Sequence, residues 1–127
     1  MKQVLDTNVI LRFLVGDQPD QQAQAKQWFL DAQAGNRELW LDQTVVAECC
    51  FVLESYYKKS RPEISISMQS LISQRWIYVH EREALINLWE YYLGGLHFVD
   101  SFLIAWSRVT NSSLLTFDRT MAKRAEA

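Results

Sequence analysis

The chain has 127 residues, 49% of them hydrophobic, with a formal net charge of −2 and only two cysteines. That is the length of one domain with apolar residues enough for a core, and the charge argues against a nucleic-acid binder working through bulk positive charge. No apolar run reaches the length of a membrane span, and Asp6 and Arg12 break the amino-terminal apolar stretch that a signal peptide would need, so one soluble, cytoplasmic domain over residues 1–127 is expected.

In chain order, Lys2-Gln3-Val4-Leu5 reads as a short buried strand, and Asp6 sits where it gives way to the helical run Val9-Ile10-Leu11-Arg12-Phe13-Leu14. A turn at Gly16-Asp17-Gln18-Pro19-Asp20 precedes a helix over 21–34 with Ala25, Trp28, Phe29 and Ala32 on one face. Glu38-Leu39-Trp40-Leu41-Asp42 is a second strand, after which Thr44 is the expected N-cap of a helix running to about Tyr57, with Glu48 in its first turn or so. The charged turn Lys58-Lys59-Ser60-Arg61-Pro62-Glu63 joins it to a helix over 64–74, making a helical hairpin.

Trp76-Ile77-Tyr78-Val79 is a third strand-like run. Residues 81–93 carry Leu85, Leu88, Trp89 and Tyr92 at helical spacing, and Gly94-Gly95 ends that helix. Residues 98–110 form a helix apolar enough on most sides to lie against a sheet, and Leu114-Leu115-Thr116 is the last strand. Adjacent Cys49 and Cys50 on a helix point apart and read as reduced packing residues.

Strands alternating with helices predict an α/β fold of three α/β/α layers: a short parallel sheet of about four strands, helices on both faces, and the hairpin. Sites in such sheets lie outside the carboxyl ends of the strands. Asp6, Glu48, Asp100 and Asp118 each stand at that kind of position, so all four can converge on one edge. An unpaired carboxylate buried at a strand end would be expensive, which asks for a cation, a proton or donors. Taken alone, Asp6 or Asp100 reads as a helix N-cap, Glu48 as a solvated helix residue and Asp118 as a turn former; the joint pattern favours a site.

Val4-Leu5-Asp6-Thr7-Asn8, Val45-Val46-Ala47-Glu48, Phe98-Val99-Asp100-Ser101-Phe102 and Leu115-Thr116-Phe117-Asp118-Arg119 together resemble the four acidic motifs of PIN-domain ribonucleases, and the length and spacing are similar to the VapC-type toxins of toxin–antitoxin pairs. Leu96-His97-Phe98-Val99 departs from the pattern, since the family more often has a small residue directly before the acid. The resemblance implies a PIN-like fold and a metal-dependent endoribonuclease that leaves a 3′-hydroxyl and a 5′-phosphate. It also implies a VapB-type antitoxin as partner, a homodimer, and Asp6, Glu48, Asp100 and Asp118 as the metal-binding carboxylates.

Asn8 and Thr116 match supporting positions. Thr7 is a candidate for contacting the scissile phosphate or a capping hydroxyl, and Arg119 either binds phosphate or pairs with Asp118. Oxygen-only donors suit one or two Mg²⁺ or Mn²⁺ ions. Asp6 and Asp100 are then the principal ligands, Asp118 completes the set, and Glu48 binds a second ion or orients the attacking water. A haloacid-dehalogenase-like phosphotransferase would need a second Asp at position 8, which is Asn8, and a receiver-like domain would need an acidic pair and a late lysine. The remaining alternative is a non-catalytic PIN-like module that binds RNA or protein.

Overall fold

A computed structural model describes all of residues 1–127. The chain is organised in two compact units, residues 1–80 and 81–127.

The first unit contains β1 (Lys2–Val4), α1 (Thr7–Val15), α2 (Pro19–Gln33), β2 (Glu38–Leu41), α3 (Gln43–Ser55), α4 (Arg61–Ile72) and β3 (Ile77–Val79). The strands form a parallel sheet in the order β1-β2-β3, with Val4 opposite Trp40 and Trp40 opposite Tyr78. Side-chain alternation divides its faces: Leu39, Leu41 and Ile77 are buried, whereas the other face carries Trp40 stacked on Tyr78 at 5.1 Å, with the Lys2 ammonium 4.2 Å from the indole centroid. β1 is an edge strand and not the buried strand expected. Its short, partly polar sequence leaves Val4 71% exposed, and burial begins at Leu5.

Local chemistry sets the helix ends. α1 stops at Gly16, whose φ of 76° favours glycine, and Gln22 Nε2 covers the Phe13 carbonyl at 3.0 Å. α2 starts at Pro19, ahead of the expected residue 21, because proline's fixed φ suits a first turn. The cap of α3 is Asp42, not Thr44: its carboxylate accepts the Thr44 backbone N–H at 2.9 Å and the Thr44 hydroxyl as well. α4 opens at Arg61, earlier than expected, because Ser60 and Glu63 form a capping box. α3 and α4 pack on each other as the expected hairpin, and α1 packs on both α2 and α3.

The second unit contains α5 (Arg82–Asn87), α6 (Trp89–Leu93), α7 (Phe98–Val109) and α8 (Arg119–Glu126). The single helix expected over 81–93 is broken at Leu88. The Trp89 indole N–H donates to the Leu85 carbonyl at 2.7 Å, taking the acceptor that the Trp89 backbone N–H would use in a continuous helix. Hydrogen bonding resumes from the Leu88 carbonyl to Tyr91 and Tyr92. α7 contacts α5, α6 and α8, burying Phe102, Ile104 and Ala105. Phe102 and Ile104 each contribute about 2 kcal/mol through burial.

Leu114-Leu115-Thr116 is not a strand, so the sheet has three strands and not about four. The Thr116 hydroxyl accepts the Asp118 backbone N–H at 3.0 Å, turning the chain locally instead of feeding a ladder, and Leu115 stands 95% exposed. Buried hydroxyls elsewhere are satisfied: Ser101 donates to the His97 carbonyl and Ser107 to the Ile104 carbonyl, both at 2.8 Å.

Candidate active site

In the first unit, Asp6 holds the N-cap position of α1 with extended backbone, yet its carboxylate makes no capping bond. It is exposed, so the burial cost argued from the sequence does not apply. Its charge is held in water. Glu48 is also exposed and lies two residues deeper in α3 than expected, because the cap is Asp42 and the helix begins at Gln43.

The contact of α1 with α3 sets these two acids around one group. The Cys49 thiol donates toward the Thr7 carbonyl across 4.0 Å. Burial pushes the Cys49 thiol up to about 12, and the charges of Glu48 and then Asp6 push it in the same direction. Both carboxylates therefore act on the same sulfur. The neighbouring Cys50 is raised as well, mainly by burial, and both cysteines are free thiols.

In the second unit, Asp100 lies half-buried in the first turn of α7, where the positive end of the helix dipole favours an acid. Asp118 caps α8: its Oδ1 accepts the backbone N–H groups of Thr120 at 2.9 Å and Met121 at 3.1 Å. The Thr116 bond to the Asp118 N–H fixes the chain direction there.

Several other acids are occupied by hydrogen bonds. Asp17 accepts from the Tyr57 hydroxyl at 2.9 Å, Asp31 from Gln27 and Arg37, Asp42 from Thr44 and Glu63 from Ser60. Asp31, Asp42 and Glu63 are accordingly held below the usual carboxylate range. Asp6, Glu48 and Asp100 accept no hydrogen bond through their side chains and join no ion pair. Exposed Asn8 likewise forms no side-chain bond to Asp6, and Arg119 forms no ion pair with Asp118. The four acids stand as a pair in each unit, and no three His, Cys, Asp or Glu side chains form a group that could hold a metal ion.

One family matches the chain, described as PIN domain, over residues 4–127. The chain belongs to the PIN domain family. The match runs through both units and takes in all four acids, and the three-stranded parallel α/β architecture agrees with a PIN-like fold. PIN domains are typically metal-dependent nucleases that act on RNA and generally use Mg²⁺ or Mn²⁺. The oxygen-only chemistry of Asp6, Glu48, Asp100 and Asp118 fits such hard cations. No curated protein and no solved structure matches the chain. No helix is long and apolar enough to cross a membrane.

One residue of the second unit has no signal in the sequence pattern. Tyr91 lies outside the helical stripe of Leu85, Leu88, Trp89 and Tyr92, yet it is buried and has Arg124 over its ring at 5.8 Å.

Proposed function

We propose that this PIN domain, acting as one functional unit over residues 1–127, is a cytoplasmic metal-dependent endoribonuclease. In this reading it is the VapC-type toxin of a type II toxin–antitoxin pair, silenced by a VapB-type antitoxin and working as a homodimer. The observation that carries the reading is that Asp6, Glu48 and Asp100, all at PIN motif positions, keep carboxylates with no protein partner, whereas Asp17, Asp31, Asp42 and Glu63 are occupied as hydrogen-bond acceptors.

Asp6, Glu48, Asp100 and Asp118 would together hold one or two Mg²⁺ or Mn²⁺ ions. When bound, such an ion lowers the pKa of water and neutralises charge on the phosphoryl oxygens. Glu48, with both oxygens unengaged, orients the attacking water and accepts its proton. Asp118 presents its remaining oxygen while Oδ1 stays on the α8 N-terminus, and Thr116 keeps that turn in register. Thr7 and Arg119 contact substrate phosphate. Hydrolysis leaves a 3′-hydroxyl and a 5′-phosphate.

A helical antitoxin segment is supported by an apolar groove of about 460 Å³ in the first unit, lined by Phe13, Leu14, Phe29, Leu30, Ile66 and Leu71 among others. Leu30 and Ile66 are exposed there, apolar surface that the anchor side chains of a groove-bound amphipathic helix would cover.

The test is cleavage of a mixed RNA pool by partner-free protein with Mg²⁺, with Mn²⁺ and with chelator, beside Asp6→Asn and Asp100→Asn. Metal-dependent cutting that is lost in both folded variants supports the assignment. Absence of cutting on any RNA, with no rise in melting temperature on adding metal, leaves the non-catalytic binding module instead.

A further inference from the structure

Over residues 108–127 the sequence carries four cations, Arg108, Arg119, Lys123 and Arg124, against two carboxylates, Asp118 and Glu126, in a chain whose net charge is −2. The ion pairs of the protein engage Arg12, Arg37 and Arg61, and none engages these four.

Two of the four are held in place without a carboxylate. Arg108 donates to the Arg124 carbonyl at 3.3 Å. The Arg124 guanidinium lies over the Tyr91 ring and against Gly94, whose added Cβ would come 3.3 Å from it. Both guanidinium groups act on the Tyr91 phenol. The nearest acid of that cluster, Glu90, is hydrogen-bonded to Tyr91. Arg108 stands in the last turn of α7, and Lys123 and Arg124 in the last turn of α8, where helix dipoles favour cations.

Arg119 has no such explanation. It is the exposed first residue of α8, at the positive end of the dipole, where a cation is disfavoured. Its position beside Asp118 makes sense if an anion is to be received there.

We propose that Arg119 and Lys123, one turn apart on the exposed side of α8, together with Arg108 and Arg124 toward its carboxyl end, form a phosphate-binding surface that grips the backbone of single-stranded RNA, with Arg119 next to Asp118. The identity of the polyanion rests on the nuclease reading above; the site itself rests on the four cations, two of them positioned by Tyr91, Gly94 and the Arg124 carbonyl.

The test is equilibrium binding of a labelled single-stranded uridine homopolymer to the full chain, in chelator to prevent cutting, across a salt series. Arg119→Gln with Lys123→Gln touches two exposed side chains that make no hydrogen bond or ion pair, so folding is preserved. It is expected to weaken binding about tenfold and to reduce the slope of log K against log salt by about 1.4, at roughly 0.7 for each single-strand phosphate contact. Lys58→Gln with Lys59→Gln, at the α3–α4 turn, removes the same charge and leaves the slope unchanged.

Equal losses in the two double variants, or no loss in the first, overturn the proposal. So does displacement of the RNA by polyglutamate at matched charge, which would mark a surface for an acidic protein. Cleavage of the same polymer with Mg²⁺ or Mn²⁺ is read in parallel. Patch-dependent binding without cutting supports the phosphate face and refutes the nuclease reading, whereas cutting with unchanged KM and salt slope in the first variant refutes the face alone.

Discussion

The Cys49 sulfur meets the Thr7 carbonyl across 4.0 Å, and the charges of Glu48 and Asp6 both bear on that same sulfur. The contact ties α3, which carries Glu48, to the first residue of α1, which follows Asp6. Cys49→Ala is expected to lower stability by about 1 kcal/mol and to reduce cleavage more than Cys50→Ala does. Urea denaturation beside RNA cleavage checks both halves.

The same thiol gives a pH dependence. Its folded-state pKa is raised from 9.0 to about 12, so the folded protein holds that proton more tightly than the unfolded chain. The resulting stabilisation is complete below pH 9 and is lost as pH rises toward 12. Denaturation midpoints should therefore fall through that window, and less so in Cys49→Ala. At neutral pH both cysteines should resist alkylation until the protein is unfolded, as mass spectrometry would record.

Asp6→Asn and Asp100→Asn remove charges with no protein partner, so each should leave stability within about 0.5 kcal/mol of wild type. Each should lower cleavage by roughly a hundredfold or more, the scale of one electrostatic stabiliser. Thermal melts with and without Mg²⁺ provide the companion measurement: wild type gains stability on metal addition and the variants gain less. A large stability loss in either variant would mean that these acids hold the fold.

Asp118 separates two roles in one side chain. Asp118→Ala should destabilise by about 1 kcal/mol through loss of the α8 cap, while Asp118→Asn, an equally good cap, should keep stability. Both should lose cleavage. Circular dichroism melts beside activity distinguish the cap from the charge.

Leu115 and Phe117 are fully open to water. Leu115→Ser and Phe117→Ser should change stability by less than about 0.5 kcal/mol, whereas a fourth strand formed in solution would make at least one of them costly. Urea midpoints decide.

Much of the fold is legible in the sequence because it follows from periodicity: β2, β3, the body of α2 and the apolar helix α7 lie where alternation or helical spacing puts them. The errors arise where one side chain overrides the pattern. Asp42 reaches the Thr44 N–H and takes the cap, the Trp89 indole takes the Leu85 carbonyl and splits a helix, and the Thr116 hydroxyl turns the chain where a strand was expected. These are single hydrogen bonds, invisible to a pattern read over a window. For the acids, the motif positions are legible, but not that Asp6 is exposed or that three carboxylates lack partners, since both depend on neighbours distant in sequence.

The cap on α8 couples the acid to the last stretch of the chain. That helix buries only Met121, so it is the segment most ready to fray, and Asp118 keeps its orientation only while the Thr120 and Met121 N–H groups hold it. The chemistry proposed for this residue would therefore ride on a local melting equilibrium. We expect warming, or trimming of the carboxyl terminus, to switch the enzyme off well before the core unfolds, seen as cleavage that falls at temperatures where near-ultraviolet circular dichroism is still native.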